Sequence, residues 1–132
     1  MAALPSSITI NDGTATPVAV TYTPISASGG SAVFADKRKS ARSFWPKITF
    51  TFEAESPRRT SDHVGLEVEY PMTKTVDGVE LVYATAWYKK GTFILPSGMP
   101  QADRKHLRAL VVNGAGVALF TAMVNDLDPI FA

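Results

Sequence analysis

KITFTFEAE, residues 47–55, puts Ile48, Phe50, Phe52 and Ala54 on one side of an extended chain and Lys47, Thr49, Thr51, Glu53 and Glu55 on the other. A period of two is the mark of a strand with one covered face and one wet face. The stretch from Asp62 to Tyr70 repeats it, with Val64, Leu66, Val68 and Tyr70 opposing Gly65, Glu67 and Glu69. Between them Ser56, Pro57, Arg58, Arg59, Thr60 and Ser61 spell a turn, so the two segments read as neighbouring antiparallel strands.

Upstream, Ile8 and Ile10 alternate with Ser7 and Thr9, and Asn11, Asp12 and Gly13 follow as a turn signal. Val18, Val20 and Tyr22 then alternate, which predicts an N-terminal hairpin over residues 6–23, with Pro17 near the start of its second strand. Ser26 to Ser31 reads as a small-residue loop, Ala32 to Ala35 as a short strand, and the basic run Lys37, Arg38, Lys39 and Arg42 as a solvated connection. Downstream, Pro71 to Glu80 reads as a long loop with Asp77 and Gly78 at its tip. Val82 to Leu95 reads as one long strand, with Trp87, Phe93 and Leu95 on the apolar face, Tyr88, Lys90 and Thr92 on the wet one, and a bend near Gly91.

The period then changes. Pro100 opens a helix, Asp103 lies in its first turn, Leu107, Leu110 and Val111 share one face, and Gly114 suits its end. A second helix is expected from about Ala115, carrying Leu119, Phe120, Met123, Val124 and Leu127 and stopped by Pro129. The expected fold is therefore α+β: an N-terminal β-hairpin, a five-stranded antiparallel sheet over residues 31–95 with a loop at 71–81, and two C-terminal helices over residues 100–128, all in a single domain 1–132.

Composition narrows the functions. Hydrophobic residues at 45% and charged residues at 19% suit a folded chain rather than a disordered one. A net charge of +1 supplies no bulk field toward nucleic acid or membrane, so any such contact needs a local patch. The absence of cysteine excludes disulfides and thiolate metal sites and fits synthesis in a cytoplasm. The N-terminus does not read as a signal peptide, and no stretch reaches the length of a membrane span. His63 and His106 stand alone, and Asp62 and His63, adjacent on a strand, face opposite ways. With no phosphate loop, metal spacing or nucleophile motif, neither an enzyme nor a cofactor is expected.

The order of these elements resembles the coat proteins of leviviruses, the small single-stranded RNA bacteriophages. Val76, Asp77, Gly78, Val79, Glu80 and Leu81 resemble the Val-Gly-Gly-Val-Glu-Leu run before the last strand in one branch, and the Trp87 segment follows as it does there. The ending Asp126, Leu127, Asp128, Pro129, Ile130, Phe131 and Ala132 is similar to the Leu-Asn-Pro-Ala-Tyr ending of another. The resemblance implies an intertwined homodimer with two sheets joined edge to edge and each chain's helices lying over the partner's sheet as well as its own. Dimers would close into an icosahedral shell around viral RNA, placing the protein in the virion after synthesis in the bacterial host. The residues point the same way: an isolated sheet has two free edges, and so short a helix pair is expected to leave much of the face bearing Phe50, Phe52, Leu66, Val68, Trp87 and Phe93 to a second chain. No stable monomer is expected on that count.

In the family the wet face binds an RNA hairpin, for packaging and translational repression, and the carry-over is residue by residue. Lys47 matches a lysine opening a central strand, and Thr49 and Thr51 match hydroxyl residues that line base pockets. Aligned back from Pro96, Tyr88 falls on the base-stacking tyrosine and Lys90 on an asparagine, while Arg58 and Arg59 lie in a turn that is basic in relatives. Thr75, Val76, Asp77 and Gly78 fall in the loop that gathers at the symmetry axes and takes several conformations. The chain departs from the family at Glu53, where the best-known relatives have arginine, and at Glu67, where they have lysine; Glu55 and Glu69 add further carboxylates that repel phosphate. Each feature also has a plain reading: Tyr88 as a sheet tyrosine, the lysines as partners of the glutamates, the threonines as strand formers, the arginines as a solvated turn. Two rival functions stand beside the shell: a dimeric RNA-binding module without a shell, and a ligand-binding domain with the sheet as pocket floor.

Overall fold

The alternation at residues 47–55 is realised side chain by side chain: Ile48 and Phe50 are fully buried and Phe52 nearly so, while Lys47, Thr49 and Thr51 stay half-exposed and Glu53 is exposed. The computed structural model describes residues 2–3, 5, 7–28, 30–39, 41–58, 60–127 and 130–131. In chain order its elements are β1 (Ala2–Ala3), β2 (Ile8–Asn11), β3 (Ala19–Ser28), β4 (Ser31–Ala35), a 3-10 turn (Arg42–Phe44), β5 (Lys47–Glu53), β6 (His63–Val76), β7 (Val79–Lys89), β8 (Thr92–Ile94), α1 (Gln101–Gly114), α2 (Ala118–Asn125) and β9 (Ile130–Phe131). β1 and β9 form a separate parallel pair.

β2 to β8 make one antiparallel sheet in sequence order, so the sheet has seven strands and not the five expected. The hairpin is continuous with it because β3 is long enough to serve two partners. Its first half, Ala19 to Tyr22, pairs with β2 and its second half, Thr23 to Ser28, with β4. The register shifts between Pro24 and Ser26, where proline removes a ladder donor. Ser26 to Ser28, expected in a loop, are thus strand. The β2–β3 connection runs through residues 12–18, and Pro17 lies in it rather than on the strand.

Two further corrections share one cause. Pro71 to Glu80 is not a loop: β6 runs on to Val76 and β7 begins at Val79, joined by a two-residue turn. Residues 82–95 are not one strand either, since β7 ends at Lys89 and β8 folds back on it. Both turns have two left-handed residues, Asp77 (φ 51°) with Gly78 (φ 78°) and Lys90 (φ 50°) with Gly91 (φ 77°). Such primed turns match the twist of the flanking strands, and so favour the tight hairpin over a loop or a bend. A register shift between Met72 and Thr73 follows the buried Pro71 and lets the strand continue past it.

α1 packs on β2 and β6 of its own chain. It buries Leu107, Leu110, Val111 and Gly114, and α2 adds Leu119 and Met123. Pro100 is the cap before α1 rather than its first helical residue, Asp103 is in the first turn, and α2 begins at Ala118 after a turn at 115–117. Val124 is on α2 as expected and Leu127 lies beyond its end, both exposed. α2 ends at Asn125, and the expected stop at Pro129 lies outside the described residues. Helices and hairpin close one cluster that includes Ile10, Tyr22, Phe34, Ile48, Phe50 and Val68. The chain therefore covers Phe50, Phe52 and Val68 by itself, and the case for a second chain moves elsewhere on the sheet.

The hairpin is fastened to α1. The Gly13 N–H donates to His106 Nδ1 across 3.3 Å and the Asn113 side-chain amide donates to the Asn11 carbonyl across 2.9 Å, while Tyr70 of β6 donates to Asp103 across 3.1 Å. A Cβ at Gly13 would run into the Lys105 carbonyl and the His106 amide, both backbone. Gly13→Ala is expected to lower stability by about 1–3 kcal/mol, read as an earlier urea midpoint. The Asp12 carboxylate closes the β2–β3 turn, accepting from the Val18 N–H (3.0 Å), the Thr14 hydroxyl (2.7 Å) and the Thr14 N–H (3.1 Å). These bonds, Val18's first, hold its pKa down to about 2 against an ordinary 3.8. A depressed carboxylate stabilises fully above its unfolded value and loses that contribution as pH falls through its folded one. Melting temperature should therefore drop between about pH 4 and pH 2, and Asp12→Asn should flatten that step while melting earlier at pH 7. An unchanged step in the variant would remove Asp12 from the acid response.

Candidate nucleic-acid interface and assembly edge

The wet face is set by the registers around β5. Lys47 stands opposite Glu69, Thr49 opposite Glu67, Thr51 opposite Gly65 and Glu53 opposite His63. Gly65 leaves room for the Thr51 hydroxyl, which a Cβ there would strike. Lys47, Thr49 and Thr51 are thus brought together as expected, and the carboxylates of Glu67 and Glu69 stand among them. Arg58 is exposed in the turn after β5, which the Glu55 N–H bonded to Asp62 (2.7 Å) helps to close. Arg59 lies outside the described residues.

Tyr88 does not join this face. It pairs with Val68 on one side and Phe93 on the other, its ring 4.8 Å from that of Phe93, and it packs against the core. Lys90 is exposed in the turn after β7. The parity of β7 is the reverse of the one expected: Ala84, Ala86 and Tyr88 face the helices, and Thr85, Trp87 and Lys89 face the wet side. Trp87 stands opposite Glu69 and borders a shallow cavity of about 250 Å³ shared with Arg42, Lys47, Thr49, Glu67 and Glu69. The Lys89 ammonium lies 4.0 Å from the Trp87 ring centroid. Sequence reasoning missed Trp87, Lys89 and Arg42. The signal available was the Ala84, Ala86 pair, whose small side chains suit a closely packed helix face, against Thr85 and Lys89 flanking the tryptophan.

The basic connection after β4 is used internally. Arg38 makes a two-oxygen ion pair with Asp36, which is buried, and Lys39 reaches Glu80 and the Thr73 hydroxyl. The Lys39 ammonium, then the Thr73 hydroxyl, hold the Glu80 carboxyl below its usual range. This ties the connection to the β6–β7 hairpin, whose tip carries Thr75, Val76, Asp77 and Gly78.

The far end of the sheet is open. β8 pairs only with Trp87, Tyr88 and Lys89, so β7 from Val79 to Ala86 has β6 on one side and no strand on the other among the described residues. Large apolar side chains cluster there: Val79, Leu81, Val82 and Tyr83 on β7, with Phe93, Ile94 and Leu95 at β8, all exposed. At the opposite end Ile8 and Ile10 of β2 are buried.

The fold has counterparts among solved chains of virus-like particles. The structure is similar to the chain of the virus-like particle of Beihai levi-like virus 21, with a TM-score of 0.57 and 21% identity over 98% of this chain and 99% of that one. It is similar to that of bacteriophage NT-214 with a TM-score of 0.56 and 18% identity over 96% and 98%, and to that of bacteriophage ESE058 at 0.52 and 19% over 97% and 99%. Residues 3–131 match the family described as Levivirus coat protein, and the chain belongs to that family, one of structural capsid proteins. No curated protein sequence matches this one.

Proposed function

We propose that this chain, as a single coat domain, is the shell subunit of an RNA phage. It pairs with a second copy through the β7–β8 edge, and the pairs close into a particle around viral RNA. The observation that carries this is the open apolar edge from Val79 to Leu95, in a family whose solved relatives are virus-like particles. Unpaired strand edges flanked by apolar side chains are templates for another strand, and a soluble chain that keeps one must cover it. The β6–β7 hairpin tip, Thr75 to Gly78, would meet its counterparts at the symmetry axes. RNA meets the wet face at Lys47, Thr49 and Thr51, with Arg58 beside them, on the side of the sheet away from the helices. The protein is then made in the host and ends in the virion.

The test is sedimentation of the expressed, purified protein. A single fast boundary with strong absorbance at 260 nm is expected. A slow boundary carrying RNA would favour the shell-free RNA-binding module, and a slow boundary without RNA the ligand-binding domain. Phosphate contacts also make RNA affinity fall steeply with salt, and Lys47→Ala should reduce that slope.

A further inference from the structure

Between the β2–β3 hairpin, β6 and α1 lies a cavity of about 450 Å³, walled by Ile10, Val20 and Leu110 and by the acids Asp12, Asp36 and Asp103. The cations on its lining are committed: Arg38 to Asp36, and Lys39 to Glu80 and Thr73. Asp12 and Asp103 have no cation within ion-pair distance among the described residues. His106 also lines the cavity. It accepts the Gly13 N–H at Nδ1, so the ring brings no charge between the two acids. Asp12 lies in the turn that Gly13 holds against this ring, and Asp103 is on the same face of α1 three residues before it.

Tyr22 points to an occupant. It is only 6% exposed, it lines the same cavity, and its hydroxyl has no hydrogen-bond partner among the described residues. A buried hydroxyl left unbonded costs free energy that a ligand atom can offset. Burial, then the Asp36 carboxylate, push its pKa up, so it stays a hydroxyl and can accept or donate. Tyr70 nearby gives its proton to Asp103 Oδ1, which leaves the Tyr70 lone pairs and Asp103 Oδ2 open. This end of the cavity thus offers three oxygens, which a primary ammonium with its three N–H bonds can satisfy. Asp12 uses only Oδ1 in its turn, so its Oδ2 can take a second ammonium.

We propose that this cavity binds a short aliphatic diamine, with one ammonium on Asp103, Tyr22 and Tyr70, the other on Asp12, and the carbon chain along Ile10, Val20 and Leu110. The occupant ties the hairpin to α1 and stabilises the fold that holds it. A lysine side chain from another molecule presents the same alkylammonium with one charge only, and two uncompensated carboxylates favour the diamine.

The test is calorimetric titration of putrescine into the full-length protein, stripped of nucleic acid so that RNA takes up none of the amine. One putrescine is expected to bind per chain. n-Butylamine, which mimics lysine, and 1,4-butanediol, which has the length without the charge, should each bind more weakly by about tenfold or more. Magnesium at equal concentration should not displace putrescine, because it has no N–H donors and no chain to bury. Asp103→Asn should weaken putrescine by about 10- to 150-fold and Tyr22→Phe by about 2- to 10-fold. Both variants nearly keep the side-chain volume, so lost affinity reads as lost charge or hydrogen bonding. No heat from putrescine would overturn the proposal. So would displacement by magnesium, which marks loose attraction to acids, or butylamine binding as tightly as putrescine, which marks a lysine site. The ligand series is read on the unaltered chain, so a variant that fails to fold does not remove the test.

Discussion

Leu81→Asp is expected to leave the chain folded and to abolish particles. Leu81 is exposed in the single chain, on the stretch of β7 that has no second strand, so a carboxylate there faces water and the cross-strand Lys74 and leaves the lone chain folded. In a two-fold pair built on that edge the substitution appears twice, and each copy buries an unpaired charge. Breaking even one such pairing costs about 3–5 kcal/mol, roughly a hundred- to several-thousand-fold in association. Light scattering should report single chains with an unchanged far-UV spectrum, because helices and hairpin already close the core without a partner. Wild-type particles from the variant would move the interface off this edge.

Phe50→Ala should act on the fold itself. The side chain is fully buried in mid-sheet, edge-on to Phe34 at 5.9 Å and tilted against Phe120 of α2 at 5.6 Å. Removing it takes away one ring from the contact between the sheet and α2 and leaves a cavity, for about 3–5 kcal/mol. Domains of this kind have about 5–15 kcal/mol in total, so the urea midpoint should fall by about a fifth or more. Thr49→Ala, one residue away on the wet face, is expected to change stability by less than about 0.5 kcal/mol. Equal losses at the two positions would mean that the two faces of β5 are not distinguished as described.

Much of this was legible in the residues. Strict alternation at Ile48, Phe50 and Phe52 named the covered face of β5, and Leu107, Leu110 and Val111 named the buried stripe of α1. Hairpins were harder. Asp77 and Gly78 announce a tight turn, but Pro71 masked the strand before it, and a lysine at the left-handed position of the second turn, Lys90, carries no such announcement. Missing that turn left residues 82–95 as one strand and fixed β7's parity by its largest apolar residue, Trp87. Real parity is set by pairing to Val68 and Glu69, a long-range register that no local pattern contains. The candidate site followed the same divide. Lys47, Thr49 and Thr51 share a strand and were read together, whereas Trp87, Lys89 and Arg42 reach them only through the fold.

Electron microscopy of the purified wild-type protein bears on all of this most directly. Uniform closed shells, lost on Leu81→Asp, are the image that a subunit with one greasy open border should give. A field of separate small molecules at high concentration, with that border bare to water, would contradict it.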